Sequence, residues 1–326
     1  MTEGADVAIR RAEPADGAAI LALLHATRDS APSSHDESFF TWKHAQSPFG
    51  ASPSWVAEAD GRVVGFRTFM RWEFERDGEP VRAVRAIDTA THPEFQGRGI
   101  FTRLTMHALA ELATDGVAFV FNTPNERSRP GYLKMGWRLV AKLPVLATPR
   151  TPMSLLKMAG ARVPAEKWSL PTDAGRPASE VLADRAAVAA LLGSVLARAG
   201  LSTARTPEFL AWRYSFEPLA YRALLAGDSV ADGLVLFRLR RRGSMIEAAI
   251  GDVLLPPAGV RRRSSLLREV LGRSQADGAV GIGTPGSDRL RAIPGIGPTL
   301  VWRAVCEDGM APPEQWNLTL GDVEIF

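Results

Sequence analysis

The stretch from Asp88 to Leu104 constrains the fold more than any other. Residues 83–91 are mostly small, apolar or β-branched and end just before Pro93, which is a strand pattern. From Phe101 the apolar period changes. Phe101, Leu104, Ala108, Leu109 and Leu112 share one helical face, with Arg103, His107 and Glu111 mostly off it. Between strand and helix lies a short basic loop with two glycines, Gln96-Gly97-Arg98-Gly99. A strand, a Gly-rich turn and a helix start, in that order, make an anion cradle. Free N–H groups and the positive end of the helix dipole face whatever docks there. Gly97 and Gly99 admit close approach to the backbone, and Arg98 adds a fork suited to phosphate. Such a cradle suits any pyrophosphate ligand, and an ordinary strand-to-helix turn is the alternative reading. The two common nucleotide fingerprints are missing. No Gly-x-x-x-x-Gly-Lys-Ser/Thr occurs, and Gln96-x-x-Gly99 is not Gly-x-Gly-x-x-Gly.

The loop resembles the acetyl-CoA-binding motif of the GNAT acyltransferase superfamily. There a Gln/Arg-x-x-Gly-x-Gly/Ala loop after the fourth strand holds the CoA pyrophosphate. Gln96 and Gly99 match, and the preceding His92-Pro93-Glu94-Phe95 is similar to the residues usual before the loop. Phe101 departs, standing where the family has Gly or Ala. A second block strengthens the resemblance. Val117-Ala118-Phe119-Val120-Phe121-Asn122 is an apolar run of strand length, bounded by Asp115-Gly116 and Pro124. It leads into a segment similar to the family's Asn-x-x-Ala-x-x-x-Tyr-x-x-x-Gly-Phe motif. Asn125, Tyr132 and Gly136 match, Ser128 replaces the small Ala, and Trp137 replaces Phe. Pro130-Gly131 disfavours a helix interior, so the helix carrying Tyr132 is expected to begin at or near Pro130.

The chain has 326 residues, 46% of them hydrophobic, enough for a large core and suggestive of two domains. The net charge of +3 gives no case for nucleic acid as a partner. Cys306 is the only cysteine, so neither an internal disulfide nor a thiolate zinc cluster can form, and no metal is expected. The N-terminus lacks a signal pattern, and no run reaches the roughly 18 apolar residues of a membrane span. The expectation is a soluble cytoplasmic protein without a membrane partner.

In chain order, residues 7–12 predict a first strand and the segment after Pro14 a helix. Phe39-Phe40-Thr41-Trp42-Lys43 begins an aromatic helix ending near Pro48. Trp55–Ala59, Asp60-Gly61 and Val63–Phe69 predict a hairpin. A further strand is expected at 70–76, and Asp77-Gly78 turns the chain into the motif strand. Residues 138–147 read as one apolar strand. Residues 148–178, rich in proline, read as a linker with a helical part at 152–159. The second half then repeats the first. Phe209-Leu210-Ala211-Trp212-Arg213 mirrors Phe39–Lys43, Ile250-Gly251-Asp252 with Pro257 mirrors Ile87-Asp88 with Pro93, and Thr284-Pro285 mirrors Thr123-Pro124. The motif is absent from this copy: Val260 and Arg263 stand in the slots of Gln96 and Gly99, Gly283 and Gly286 in those of Asn122 and Asn125, and Ile293 near that of Tyr132.

The resemblance therefore implies an α/β (α+β) fold of two GNAT-like domains. Each would be a mixed, mostly antiparallel twisted sheet flanked by helices. Residues 1–147 would form the acetyltransferase domain, 148–178 the linker and 179–326 a degenerate copy that shapes the acceptor side or builds a homodimer. Motifs in the amino-terminal copy are similar to the arrangement in the enhanced-intracellular-survival aminoglycoside acetyltransferases. In mycothiol synthase the carboxy-terminal copy carries the cofactor. The chain has no room for the sterol-carrier-like third domain of the former.

The implied activity is acetyl-CoA-dependent transfer of an acyl group to a primary amine of a small molecule, such as an amino sugar or amino acid. A non-catalytic acyl-CoA-binding or scaffold protein is the alternative. By the resemblance, Gln96, Gly97, Arg98, Gly99, Ile100 and Phe101 hold the pyrophosphate of acetyl-CoA. Backbone amides near Ala90, Thr91 and His92 hold pantetheine and the thioester carbonyl, and Asn125 and Tyr132 complete the binding site. Tyr132 is the candidate general acid, since an unperturbed tyrosine, with a pKa of about 10, is protonated at neutral pH; a packing tyrosine is the other reading. Asp88 is the candidate base, but Asp252 holds the same place in the copy without the motif, so a structural role stands beside it. His92, Glu58 and the terminal carboxylate of Phe326 are weaker candidates for the base.

Overall fold

The computed structural model describes residues 7–27, 33–160, 163–196, 198–283, 291–293, 295–306 and 309–324. The chain forms two compact units. Unit 1 comprises Met1–Phe74, Glu79–Ala141 and Thr299–Pro312; unit 2 comprises Glu75–Gly78, Lys142–Pro298 and Pro313–Phe326. These are not the linear blocks expected from the sequence. Phe326, Thr284, Pro285 and Gly286 lie outside the described residues.

Unit 1 runs β1 (Ala8–Arg11), α1 (Gly17–Thr27), α2 (Asp36–Ala45), β2 (Ser54–Ala59), β3 (Arg62–Arg76), β4 (Glu79–Thr91), α3 (Ile100–Thr114), β5 (Phe119–Asn122), α4 (Arg129–Lys134) and β6 (Arg138–Lys142). Its mixed sheet has the order β1-β2-β3-β4-β5, then the strand Thr299–Ala304, then β6. β1, β2 and β3 pair antiparallel, whereas β4 and β5 are parallel. The β2–β3 turn places Asp60 and Gly61 at φ +52° and +72°, the left-handed pair a two-residue hairpin with the sheet's twist demands. The chain between 62 and 76 is one long strand, not the two expected. The predicted apolar face of α3 is the one it buries: Leu104, Ala108, Leu109 and Leu112, with Ile100, join Trp55, Ala57, Val84 and Val120 in the core. α4 begins at Arg129, with Pro130 in its first turn, where a missing N–H costs nothing.

Unit 2 contains β7 (Val145–Pro149), α5 (Pro152–Gly160), β8 (Arg176–Pro177), α6 (Ala178–Val181), α7 (Arg185–Ser194), β9 (Leu201–Thr203), α8 (Pro207–Ser215), β10 (Arg222–Leu225), β11 (Leu234–Arg242), β12 (Met245–Leu254), α9 (Arg263–Ser274), β13 (Gly278–Ile282), β14 (Arg291–Ala292) and α10 (Leu320–Val323). A second mixed sheet has the order β14-β7-β13-β12-β11-β10-β8, with β12 and β13 parallel. α9 covers it through Leu266, Leu267, Val270 and Leu271, packed with Val235, Phe237 and Ala279.

Two expectations change here. Residues 138–147 are not one strand. β6 ends at Lys142 and β7 starts at Val145, with Pro144, which has no N–H to give a ladder, between them. Leu143 N donates to Pro298 O (2.9 Å), and β7 then pairs antiparallel with β13. Residues 148–178 are not a bare linker. The helix expected at 152–159 is α5, Leu170 bridges to Leu239, and β8 pairs with β10. Conversely, Thr299–Ala304 returns to unit 1 and pairs with β5 from Val301↔Asn122 to Ala304↔Phe119.

Candidate active site

In unit 1 the parallel strands β4 and β5 are paired over Ala83–Arg85 and Phe119–Phe121. Further along β4, a cavity of about 830 Å³ lies against Thr89, Ala90 and Thr91. Its other walls are Gln96, Gly97, Gly99, Ile100 and Phe101 from the loop and the start of α3, and Asn125, Arg127, Ser128 and Gly131 from the turn into α4. Thr27 also lines it.

The loop is built as a cradle. Pro93–Phe95 make one tight turn, and Gln96 Nε2 donates to Thr91 O (3.2 Å), closing the loop on the end of β4. Gly97 and Gly99 have φ of +76° and +73°, and nothing lies within 4 Å of where a Cβ would stand on either. Gly99 caps α3, and Arg103 N donates to Gly99 O (2.9 Å) as the first helical bond. The amides of Ile100, Phe101 and Thr102 thus have no acceptor within the helix. No acidic residue occupies the first turn to compete for them. An open, glycine-paved helix N-terminus on a cavity of this size fits a pyrophosphate.

Tyr132 is 3% exposed and lies behind Gly131 and Phe101 rather than on the cavity wall. Its Oη accepts a hydrogen bond from Arg67 Nη1 (2.8 Å), and its ring meets Phe101 edge-on at 5.5 Å and Trp137 at 5.1 Å. A Cβ on Gly131 would come within 3.3 Å of the Phe101 ring. The bulky residue at the start of α3 and the glycine in α4 therefore fit each other. Phe101 leaves the helix start intact and takes the room that Gly131 provides.

A family model described as an acetyltransferase (GNAT) domain matches residues 8–140, which spans the cradle and Tyr132. Residues 8–140 are a GNAT domain. Solved structures with the same fold include a probable N-acyltransferase of unknown function from Enterococcus faecalis V583 (13% identity, TM-score 0.63). They also include a GCN5-related N-acetyltransferase from Anabaena variabilis ATCC 29413 (15%, 0.62) and Eis1 from Mycobacterium abscessus (15%, 0.58). Each match covers 92% of this chain; it covers 73%, 73% and 74% of the respective neighbour. At such identity these likenesses speak for the fold. Among curated proteins none is detectably similar in sequence.

Within the GNAT domain the remaining expected residues have varied positions. Asn125 lines the cavity, but its Oδ1 accepts from Ser128 N and Oγ (both 2.9 Å), so it shapes the turn before α4. Arg98 stacks over Phe95 at 4.8 Å, off the cavity wall. His92 N donates to Val64 O (2.8 Å), so this amide is spent on the sheet and is not free for pantetheine. The His92 ring lies 3.7 Å from the Glu94 carboxylate. Glu58 is engaged with Arg10 (3.0 Å).

Asp88 also stands off the cavity. It is nearly buried, at φ +37°, with Oδ2 at 2.5 Å from Lys43 Nζ and 2.9 Å from His44 Nε2; His44 Nδ1 is 3.0 Å from Ser52 Oγ. Unit 2 repeats the arrangement. Tyr214, which follows Arg213 as His44 follows Lys43, donates from Oη to Asp252 Oδ2 (2.5 Å). A strand carboxylate tied to an aromatic helix in both units favours the structural role. Asp88→Asn is expected to cost about 3 kcal/mol or more in denaturant unfolding, because it removes the charge facing buried Lys43.

Sequence reasoning missed Arg67. It is 0% exposed, with its guanidinium 4.3 Å over the Phe69 ring, 5.3 Å over Tyr132 and 5.6 Å over Phe101. Among the described residues its Nε and Nη2 make no hydrogen bond. A lone arginine inside the apolar run Val63–Met70 was the available signal, since a charge in a buried strand needs a partner.

Proposed function

We propose that the chain is an N-acyltransferase that uses acetyl-CoA to acylate a primary amine of a small molecule, an amino sugar, amino acid or similar, in a ternary complex. One observation carries the reading: the open Gly97–Gly99 backbone at the start of α3 faces a cavity with Tyr132 directly behind it. Acetyl-CoA supplies the activated acyl group and a thiolate leaving group. The amine nitrogen forms a bond to the carbonyl carbon, the carbon–sulfur bond breaks, and the thiolate needs one proton while the amine loses one. Free amides at Ile100, Phe101 and Thr102 hold the pyrophosphate, and Ala90 and Thr91 line the path of pantetheine. Tyr132 supplies the proton. Its Oη already accepts from Arg67, which leaves its own proton to donate elsewhere.

In this reading unit 2 is a degenerate GNAT-like copy. The acceptor is a small amine rather than nucleic acid or a membrane, and the protein works in the cytoplasm, as a monomer or homodimer. Incubating the protein with acetyl-CoA and a panel of amino sugars, amino acids and polyamines, with thiol release as readout, tests it. Amine-dependent release above the hydrolysis rate is expected. Binding of acetyl-CoA without release for any amine would leave the second reading, a non-catalytic acyl-CoA-binding protein. That reading is favoured by Phe101, whose ring stands at the cavity wall in front of Tyr132.

A further inference from the structure

Unit 2 holds a cavity of its own, about 420 Å³, with no counterpart in the acyl-transfer reading. It opens where β12 and β13 stop pairing. Their ladder covers Glu247–Ala249 and Gly278–Val280, and beyond it Gly251–Leu254 and Gly281–Gly283 line the cavity. Part of the wall is apolar: Leu192, Val195 and Leu196 from the end of α7, with Ile250, Ile282 and Leu318.

Three arginines share this cavity, Arg198, Arg205 and Arg263. Arg205 is spent. It is held by Asp252 (2.8 Å) and Asp322 (2.9 Å) and donates to Thr319 Oγ1 (3.0 Å). Arg198 is different: among the described residues it has neither a hydrogen-bond nor an ion-pair partner, and it is exposed on the wall. Partial burial first, then the positive charges of Arg263 and Arg205 nearby, push Arg198 below its ordinary value against the opposing pull of the Asp252 carboxylate. Crowded like charges of this kind are relieved by an anion.

The walls also limit the anion. Glu75 and Asp77 line the same cavity and disfavour a ligand with several negative charges. The loop before α9 lacks the open glycine pair of unit 1: Gly259 is buried, and a Cβ there would meet Pro256 at 3.3 Å. A nucleotide pyrophosphate therefore has no cradle here. A single negative head on an apolar body remains, in a volume within the range of small-ligand sites, roughly 300–1,000 Å³.

We infer that the β12–β13 cavity of unit 2 binds a monocarboxylate with a short aliphatic tail, its carboxylate on Arg198 and its tail on Leu192, Val195 and Leu196. The site is separate from the cavity proposed for acyl transfer and does not depend on that reading.

Isothermal titration of the full chain with octanoate tests the inference, beside acetate, octylamine and inorganic phosphate as probes, in wild type, Arg198→Glu and Leu196→Asp. Both side chains are exposed, so both variants keep the fold, and thermal melts confirm it. Octanoate is expected to bind wild type saturably, and each variant to bind roughly tenfold to a hundredfold more weakly. Acetate, octylamine and phosphate are expected to give no comparable signal. Unchanged octanoate binding in Arg198→Glu overturns the proposal. So does octylamine binding as well as octanoate, which marks nonspecific apolar uptake, or phosphate or acetate binding as well, which marks a site that reads charge alone. Displacement of octanoate by acetyl-CoA, in a chain whose Gly99→Asp variant no longer binds octanoate, would place the ligand in unit 1 and also overturn it.

Discussion

Gly99→Asp is expected to abolish acetyl-CoA binding while leaving the protein folded. Gly99 sits at φ +73°, where a side chain costs roughly 1–2 kcal/mol, less for Asp, which tolerates this region. Its Cβ would enter open space, so no clash adds to that cost. The carboxylate, however, would stand at the cap of α3. There it would take up the amides that are otherwise free and place a negative charge where the pyrophosphate must lie. Both effects oppose the ligand and neither opposes the helix, for which an acidic cap is favourable. Calorimetric titration should show one equivalent of acetyl-CoA bound by wild type and at least a hundredfold weaker binding by the variant, an estimate resting on loss of about 3 kcal/mol. A variant melting within a few degrees of wild type, yet still binding tightly, would remove the cradle from the proposed function.

Tyr132→Phe carries the second large effect. If Tyr132 protonates the departing thiolate, losing its hydroxyl should lower kcat by about a hundredfold to ten-thousandfold with little change in KM. The neighbour sharpens the test. Arg67 Nη1 donates to Tyr132 Oη (2.8 Å), and its cation lies where it would steady the phenolate left after proton transfer. Arg67→Met should therefore lower kcat, and Arg67→Lys should recover part of it. Stability should move the other way. Among the described residues no carboxylate pairs with this buried guanidinium, so methionine of similar volume should be neutral or stabilising in denaturant unfolding. A packing tyrosine and a packing arginine would give the opposite signature: stability lost and kcat retained.

The cradle was legible in the sequence because its features are local. The change from a strand pattern to a helical face at Phe101, the positive-φ glycines just before it and the first-turn position of Pro130 each rest on a few neighbouring residues. What the sequence hid was pairing at long range. Val145–Pro149 follows β6 after only Leu143 and Pro144 and reads as its continuation, yet its partner is β13 in unit 2. Thr299–Ala304 is recognisably strand-like, but nothing in Leu300, Val301 or Trp302 names Phe119–Asn122 as the partner. Asp88 illustrates the same limit within the candidate site. Its place on the motif strand suggested chemistry, while its partners Lys43 and His44 lie on a helix more than forty residues earlier. Arg67 was hidden by its apolar setting, and only the fold shows that Tyr132 Oη is what it meets.

The return of Thr299–Ala304 to the first sheet bears on how the protein comes into being. On the ribosome, the amino-terminal unit cannot close its sheet between β5 and β6 until Thr299–Ala304 has been made, long after β6 itself. The aromatic contact of Trp302 with Phe119 waits for the same moment. Closure of that sheet is therefore a late event, slow in the manner of pairings distant along the chain. Inheritance follows the same rule: a gene cut anywhere between β6 and Thr299 would leave the first unit without one of its strands.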